Sequence, residues 1–211
     1  MAKIINEKIK CACCCKESEQ TLLLSSSIFG GRDLDTRPSG FGRENLRYEI
    51  QECPFCHYCN IRIDDTEGVF EKIGDEQLVL AHDRSIPDTA RRFLLSAMRW
   101  SDIGDLYLAG ESYLKAAWVF DDEGDGCNAK LAREKAALHF EKFIDVSGDG
   151  DTAIMLVDVY RRSAAFDKAL ALLDEIGDAE DDFLNAILNY ERALAIAKDA
   201  ACHTIGEATN G

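Results

Sequence analysis

The chain has 211 residues, with hydrophobic residues at 46%, charged residues at 30%, and 24 basic against 39 acidic side chains for a net charge of −15. That length holds one larger domain or two small ones, and the composition excludes wholesale disorder. The acidity repels nucleic acid phosphates and anionic lipid; the one local basic patch, Arg32, Arg37, Arg43 and Arg47, is small.

The first ten residues, Met1 to Lys10, are polar and charged, and Leu22-Leu23-Leu24 is too short for a signal peptide's apolar region. Nothing approaches the roughly 20 apolar residues of a membrane span. A cytoplasmic location is therefore expected, where thiols stay reduced. Seven of the nine cysteines lie in the first 59 residues. In a reducing setting they point to metal or redox chemistry rather than disulfides.

Two C-x-x-C pairs can be read, Cys11/Cys14 and Cys53/Cys56, separated by 38 residues. Such a turn points both sulfurs into one concavity, and two turns complete the four-thiolate tetrahedron of one structural zinc ion. Cys13, Cys15, Cys59 and His57 are alternative ligands within reach. In many zinc knuckles the residue after the second Cys is Gly, because it adopts positive φ; here those positions are Cys15 and His57. Between the pairs, Thr21–Ser27 reads as a short strand. Leu46–Cys53 alternates apolar and polar residues like a half-buried strand, and Ile61–Asp64 is placed to pair back on it. This gives a zinc-ribbon-like β module over residues 1–66.

The loop from Phe29 to Arg43 carries an Arg/Asp cluster: Arg32, Asp33, Asp35 and Arg37. Such a cluster either holds a carboxylate or phosphate ligand through its arginine forks, or pairs internally to brace the loop. The expectation favours internal pairing. The glycines there match neither a P-loop nor a dinucleotide-binding fingerprint.

A connector, residues 67–85, leads into a helical domain that runs to residue 203. Its helices are expected at Asp88 to about Ile103, Asp105–Asp122, Ala129–Val146, Thr152–Arg162, Asp167–Ile176 and Asp181–Cys202, with residues 204–211 as a flexible tail. Tyr107, Ala116 and Phe120 recur in spacing as Tyr160, Ala169 and Leu173, an echo of the packing rule of tetratricopeptide repeats. Two acidic loops, from Asp121 and from Asp145, begin like calcium loops, but their twelfth positions are Ala132 and Leu156 in place of the bidentate Glu; they are expected to be helix-ending turns. The four histidines, His57, His82, His139 and His203, are scattered, and no nucleophile–base set is readable.

Several segments carry a resemblance: the first Cys pair, Ser25–Pro38 (SSSIFGGRDLDTRP), Tyr48–Tyr58 (YEIQECPFCHY) and Tyr113–Asp122 (YLKAAWVFDD). The chain resembles a bacterial family of uncharacterised proteins with a paired-Cys head and tetratricopeptide-like helices. The resemblance implies Cys11, Cys14, Cys53 and Cys56 as metal ligands. The expected fold is mainly α, with the small zinc module followed by a TPR-like solenoid or bundle. The function expected is a zinc-stabilised interaction adaptor, no enzyme, whose groove takes a protein or peptide partner, with basic segments suited to an acidic groove. The alternative is a thiol redox sensor or enzyme using a surplus cysteine such as Cys13, Cys15 or Cys59.

Overall fold

Each C-x-x-C pair is the turn of a β-hairpin in the computed structural model, which describes residues 3–26, 30–66 and 74–209. Strands β1 (Lys3–Lys10) and β2 (Glu17–Ser25) pair antiparallel around the first turn. Strands β3 (Gln51–Glu52) and β4 (Cys59–Asn60) do so around the second. Ser27 and Phe29, the expected ends of a strand and of the Arg/Asp loop, lie outside the described residues, as do residues 67–73 of the connector.

The alternating segment from Leu46 is mostly not a strand. Residues Phe41–Asn45 form a short helix α1 that passes into a 3₁₀ turn, Leu46–Tyr48, before the two residues of β3. Leu46 and Ile50 are nonetheless buried together. A four-residue spacing puts two side chains on one face of a helical turn as well as of a strand, so the alternation could not separate the two.

The body is a run of helices: α2 (Asp75–His82), α3 (Asp88–Ile103), α4 (Leu106–Asp122), α5 (Gly126–Ser147), α6 (Gly150–Arg162), α7 (Phe166–Ile176), α8 (Asp182–Ile196) and α9 (Ile205–Thr209). Consecutive helices from α2 to α9 pack on one another, so the body is a stack of helix pairs. Among the described residues, no helix is long and apolar enough to cross a membrane.

Four helix ends are built alike. The backbone N–H groups of Asp105, Asp125, Ala165 and Asp199 donate to the carbonyls of Trp100, Phe120, Tyr160 and Leu194 at 2.8–2.9 Å. The residue before each donor, Gly104, Gly124, Ala164 and Lys198, has φ between 55° and 82°. This is a Schellman C-cap. Asp105 and Asp125 then accept from Leu108 and Asn128 and start the next helix. The cap at Lys198 ends α8 well short of Cys202. The acidic loops are thus helix-ending turns: Asp125 and Asp149 are N-caps, and Asp121 faces arginines. The Tyr–Ala–hydrophobe echo is not a structural repeat. Tyr107, Ala116 and Phe120 all sit on α4, whereas Tyr160 is on α6 and Ala169 and Leu173 are on α7.

One hydrophobic core joins head and body. Leu46, Ile50 and Cys59 are buried in the same cluster as Phe93, Trp118, Phe140 and Leu156. At its centre α4 meets α5 closely, where a Cβ on Gly110 would come within 2.6 Å of the Phe140 ring. A second cluster, Ile9, Cys11, Cys53, Tyr58 and Ile63, lies under the cysteine turns. Residues 204–209, expected as part of a flexible tail, are built into the fold: Ile205 donates its N–H to the Arg32 carbonyl at 2.9 Å, and Ile205 packs against Leu34 and Ile187.

Candidate metal centre

The two hairpin turns repeat one backbone pattern. Cys15 N–H donates to the Cys11 carbonyl and Cys11 N–H to Lys16; likewise His57 N–H donates to the Cys53 carbonyl and Cys53 N–H to Tyr58, all at 2.9 Å. Closing such a turn forces positive φ on the residue after the second cysteine. Cys15 has φ 60° and His57 has φ 58°. These are the two positions where Gly was expected, so both side chains are tolerated at some cost in backbone strain.

The turns face each other and bring four sulfurs together. Cys11 Sγ lies 3.7 Å from Cys56 Sγ, Cys14 Sγ lies 3.6 Å from Cys53 Sγ, and all four lie within 4.8 Å of one another. A tetrahedron with metal–sulfur bonds of about 2.3 Å has edges of about 3.8 Å. Backbone N–H groups aim at the sulfurs: those of Cys13 and Cys14 at Cys11, of Lys16 at Cys14, and of Tyr58 at Cys56. Such donors stabilise thiolates.

Without a cation this cluster is electrostatically awkward. Burial raises the Cys11 thiol to about 11, and burial together with its sulfur neighbours raises Cys56 further. Cys14 is brought below its ordinary value: burial opposes this, but hydrogen bonds from the Lys16 backbone and from neighbouring thiols outweigh it. A divalent cation would reverse the balance, because thiolates are then favoured over thiols. The donor set, spacing and N–H contacts therefore fit one metal ion.

Two of the alternative ligands, His57 and Cys59, are engaged elsewhere. His57 presents Nδ1 to Glu52 Oε1 at 2.7 Å and stacks edge-on against His82. Cys59 is buried and donates to the His57 carbonyl at 3.5 Å. Cys15 is exposed, and Cys13 lies beside Cys56 without joining the four-sulfur group. Glu52 continues inward to Arg91, which donates to both its carboxylate oxygens at 2.7 and 3.0 Å. The second turn is thereby tied to α3.

The Arg/Asp loop pairs internally and with the helices. Asp35, fully buried, accepts from Trp118 Nε1 at 2.7 Å and from Arg162 at 3.2 Å. Asp33 accepts from Arg43 at 2.6 Å, Arg37 donates to Asp122, and the exposed Arg32 donates to the Thr36 carbonyl at 2.8 Å. Asp121 completes the network by accepting from Arg133 and Arg162. These helical partners were not legible in the sequence, where Asp121 and Asp122 read only as a helix end.

No curated protein and no solved structure gives a significant match. A family model described as an uncharacterised protein conserved in bacteria, DUF2225, matches residues 4–160. Its span takes in both cysteine turns, the Arg/Asp loop and the helices to α6; the chain belongs to the DUF2225 family of uncharacterised bacterial proteins.

Proposed function

We propose that this protein is a zinc-stapled helical adaptor whose groove over α6 holds a basic partner segment. Zinc is the metal best suited to four clustered thiolates at tetrahedral spacing, and a closed four-cysteine set leaves no position for a substrate, so its role is structural. The staple matters to the body because Cys59 and Ile50, beside the second turn, sit in the main core.

The observation that carries the adaptor reading is a pair of adjoining clefts between α5 and α7, of about 270 and 260 Å³, that share Glu141, Tyr160 and Lys168. Their apolar lining is Ala137, Ile144, Leu156 and Leu172, with the exposed Leu138 at the edge. Their rim has Asp145 and Glu175, with Glu134 near Lys130 and Glu141 accepting from Lys168 and Tyr160 between the two clefts. An apolar trough with an acidic rim suits an amphipathic segment carrying lysine or arginine.

Redox chemistry draws less support. Cys59 is a surplus thiol that feels Arg91 and Arg92, yet burial raises it well above the ordinary value, and a buried thiol without thiolate character is a poor nucleophile. Nucleic-acid binding loses its basic patch, since Arg37 and Arg43 are paired with carboxylates.

The test has two parts. Protein purified without added metal should contain one zinc per chain. A fluorescent Leu/Lys amphipathic peptide should bind more tightly than its Leu/Glu counterpart and weaken with salt. Leu138→Ser and the pair Glu134→Lys with Glu175→Lys should each reduce that binding. Unchanged binding by both groove variants would count against the adaptor reading, whatever the zinc content.

A further inference from the structure

The hairpin β1–β2 is an arm with an open side. Among the described residues β1 pairs only with β2, and its residues 3–8 are all exposed. Ile4, Ile5 and Leu24 are 40, 37 and 51% exposed. A lone two-stranded hairpin is marginal in water, and an unpaired strand edge beside exposed apolar side chains is a template for another strand.

The ladder says which backbone groups face outward. Cys11 N–H donates to the Lys16 carbonyl, so 11 and 16 are a hydrogen-bonded pair. Such pairs alternate along an antiparallel ladder. With the register Ile9↔Ser18, Glu7↔Gln20 and Ile5↔Leu22, residues 5, 7 and 9 turn their backbone groups toward β2. Ile4, Asn6 and Lys8 turn theirs outward. The side-chain bond from Thr21 Oγ1 to Asn6 Oδ1 fits the closer approach of a non-hydrogen-bonded pair.

An antiparallel copy must therefore set even-numbered residues opposite even-numbered residues. Centred on Asn6, the pairing puts Ile5 against Glu7 and Ile4 against Lys8. Centred on Glu7, it stacks like charges. Centred on Ile5, it sets Ile5 against Ile5 and places Lys3 opposite Glu7 twice, by symmetry. Lys8 and Lys10, charges that guard the edge against other registers, then lie beyond the paired residues 3–7. The arm as a whole is balanced, with Lys3, Lys8 and Lys10 against Glu7, Glu17 and Glu19, which spares it the repulsion implied by the chain's −15.

We propose that two copies of this chain pair through the outer edges of β1, antiparallel and centred on Ile5, to make a continuous four-stranded sheet. The row Leu22–Ile5–Ile5–Leu22 then runs across one face of that sheet, because directly opposed residues share a face. The interface is isologous and closes, so the product is a dimer and not a fibre.

Sedimentation velocity on the full-length, metal-loaded protein over a range of concentrations tests this. The expected result is a monomer–dimer equilibrium. Asn6→Pro removes one of the two outward N–H donors within the paired residues 3–7 and should leave a monomer. Lys3→Glu and Glu7→Lys should each weaken the dimer by about tenfold, since two symmetric pairs turn repulsive, and the double exchange should restore it. Circular dichroism and zinc content check that each variant is folded. A wild-type protein that stays monomeric throughout overturns the proposal. So does a dimer that survives Asn6→Pro, or a charge exchange that fails to restore association. Peptide binding in the α5–α7 groove is a separate readout and stands or falls independently.

Discussion

His57 Nδ1 lies 2.7 Å from Glu52 Oε1, and that contact joins the second cysteine turn to the helical body. Glu52 in turn receives both terminal nitrogens of Arg91, a side chain only 3% exposed. Burial raises the Glu52 carboxyl, but its bonds to Arg91 and His57 outweigh this and hold it below the ordinary carboxylate range. Removing Glu52 leaves Arg91 with Asp88, whose side chain is largely exposed, and the Ala81 carbonyl. Glu52→Ala should therefore cost about 3 kcal/mol. His57→Gly should be near neutral, because the lost hydrogen bond, about 1 kcal/mol, is offset by relief of positive φ. Urea unfolding of the two variants checks the contrast.

Cys15 sits in the same strained geometry with its side chain exposed and outside the four-sulfur group. Cys15→Gly should raise stability by about 1 kcal/mol and leave zinc content unchanged. Cys53→Ser should lose the metal and, with it, the ordered head. If elemental analysis finds zinc retained in Cys53→Ser but lost in Cys15→Gly, the ligand set is misassigned.

Asp35 is fully buried beneath the indole of Trp118 and between Arg162 and Arg133. Asp35→Asn removes the charge and leaves two buried guanidinium groups sharing Asp121. A loss of about 3 kcal/mol is expected, with a shift in tryptophan fluorescence from Trp118. A stable variant with an unchanged emission spectrum would show that the loop is not held by this network.

Asp158 and Glu191 face the buried Arg161 together. Burial, and then the Asp158 charge, raises Glu191 to about 9, although Arg161 opposes the shift. Folding therefore takes up a proton at this group. Its contribution to stability is complete below about 4.5, the unfolded value, and is lost as pH rises through about 9. The urea midpoint of the wild type should fall between pH 6 and 9, and Glu191→Gln should flatten that fall. A parallel profile for the variant would locate the pH dependence elsewhere.

Much of the candidate site was legible because it is local chemistry. The spacing within each C-x-x-C pair dictates a tight turn, and the turn dictates positive φ at Cys15 and His57. The helix start at Asp88 was readable from the proline before it and the apolar period after it, although Asp88 is the first helical residue and makes no side-chain cap; the cap that Asp105 provides for α4 was not read. Strand β1 was missed because its residues are exposed on both faces and so carry no alternation. Helix α2 was missed because it lacks an apolar stripe, with Leu78 and Val79 turned to solvent.

The two thiol turns and most of the helices were readable in the chain, since each follows from residues within a few positions of one another, and its acidity is a matter of composition. The folded arrangement was needed to see that Asp35 meets Trp118 and Arg162, that Arg161 rather than Arg162 faces Glu191, and that Leu46, Ile50 and Cys59 belong to the helical core. Carboxylates and guanidinium groups are abundant and interchangeable in a sequence. Which of them lose their water together depends on how the helices stack, and burial sets the strength of each pairing.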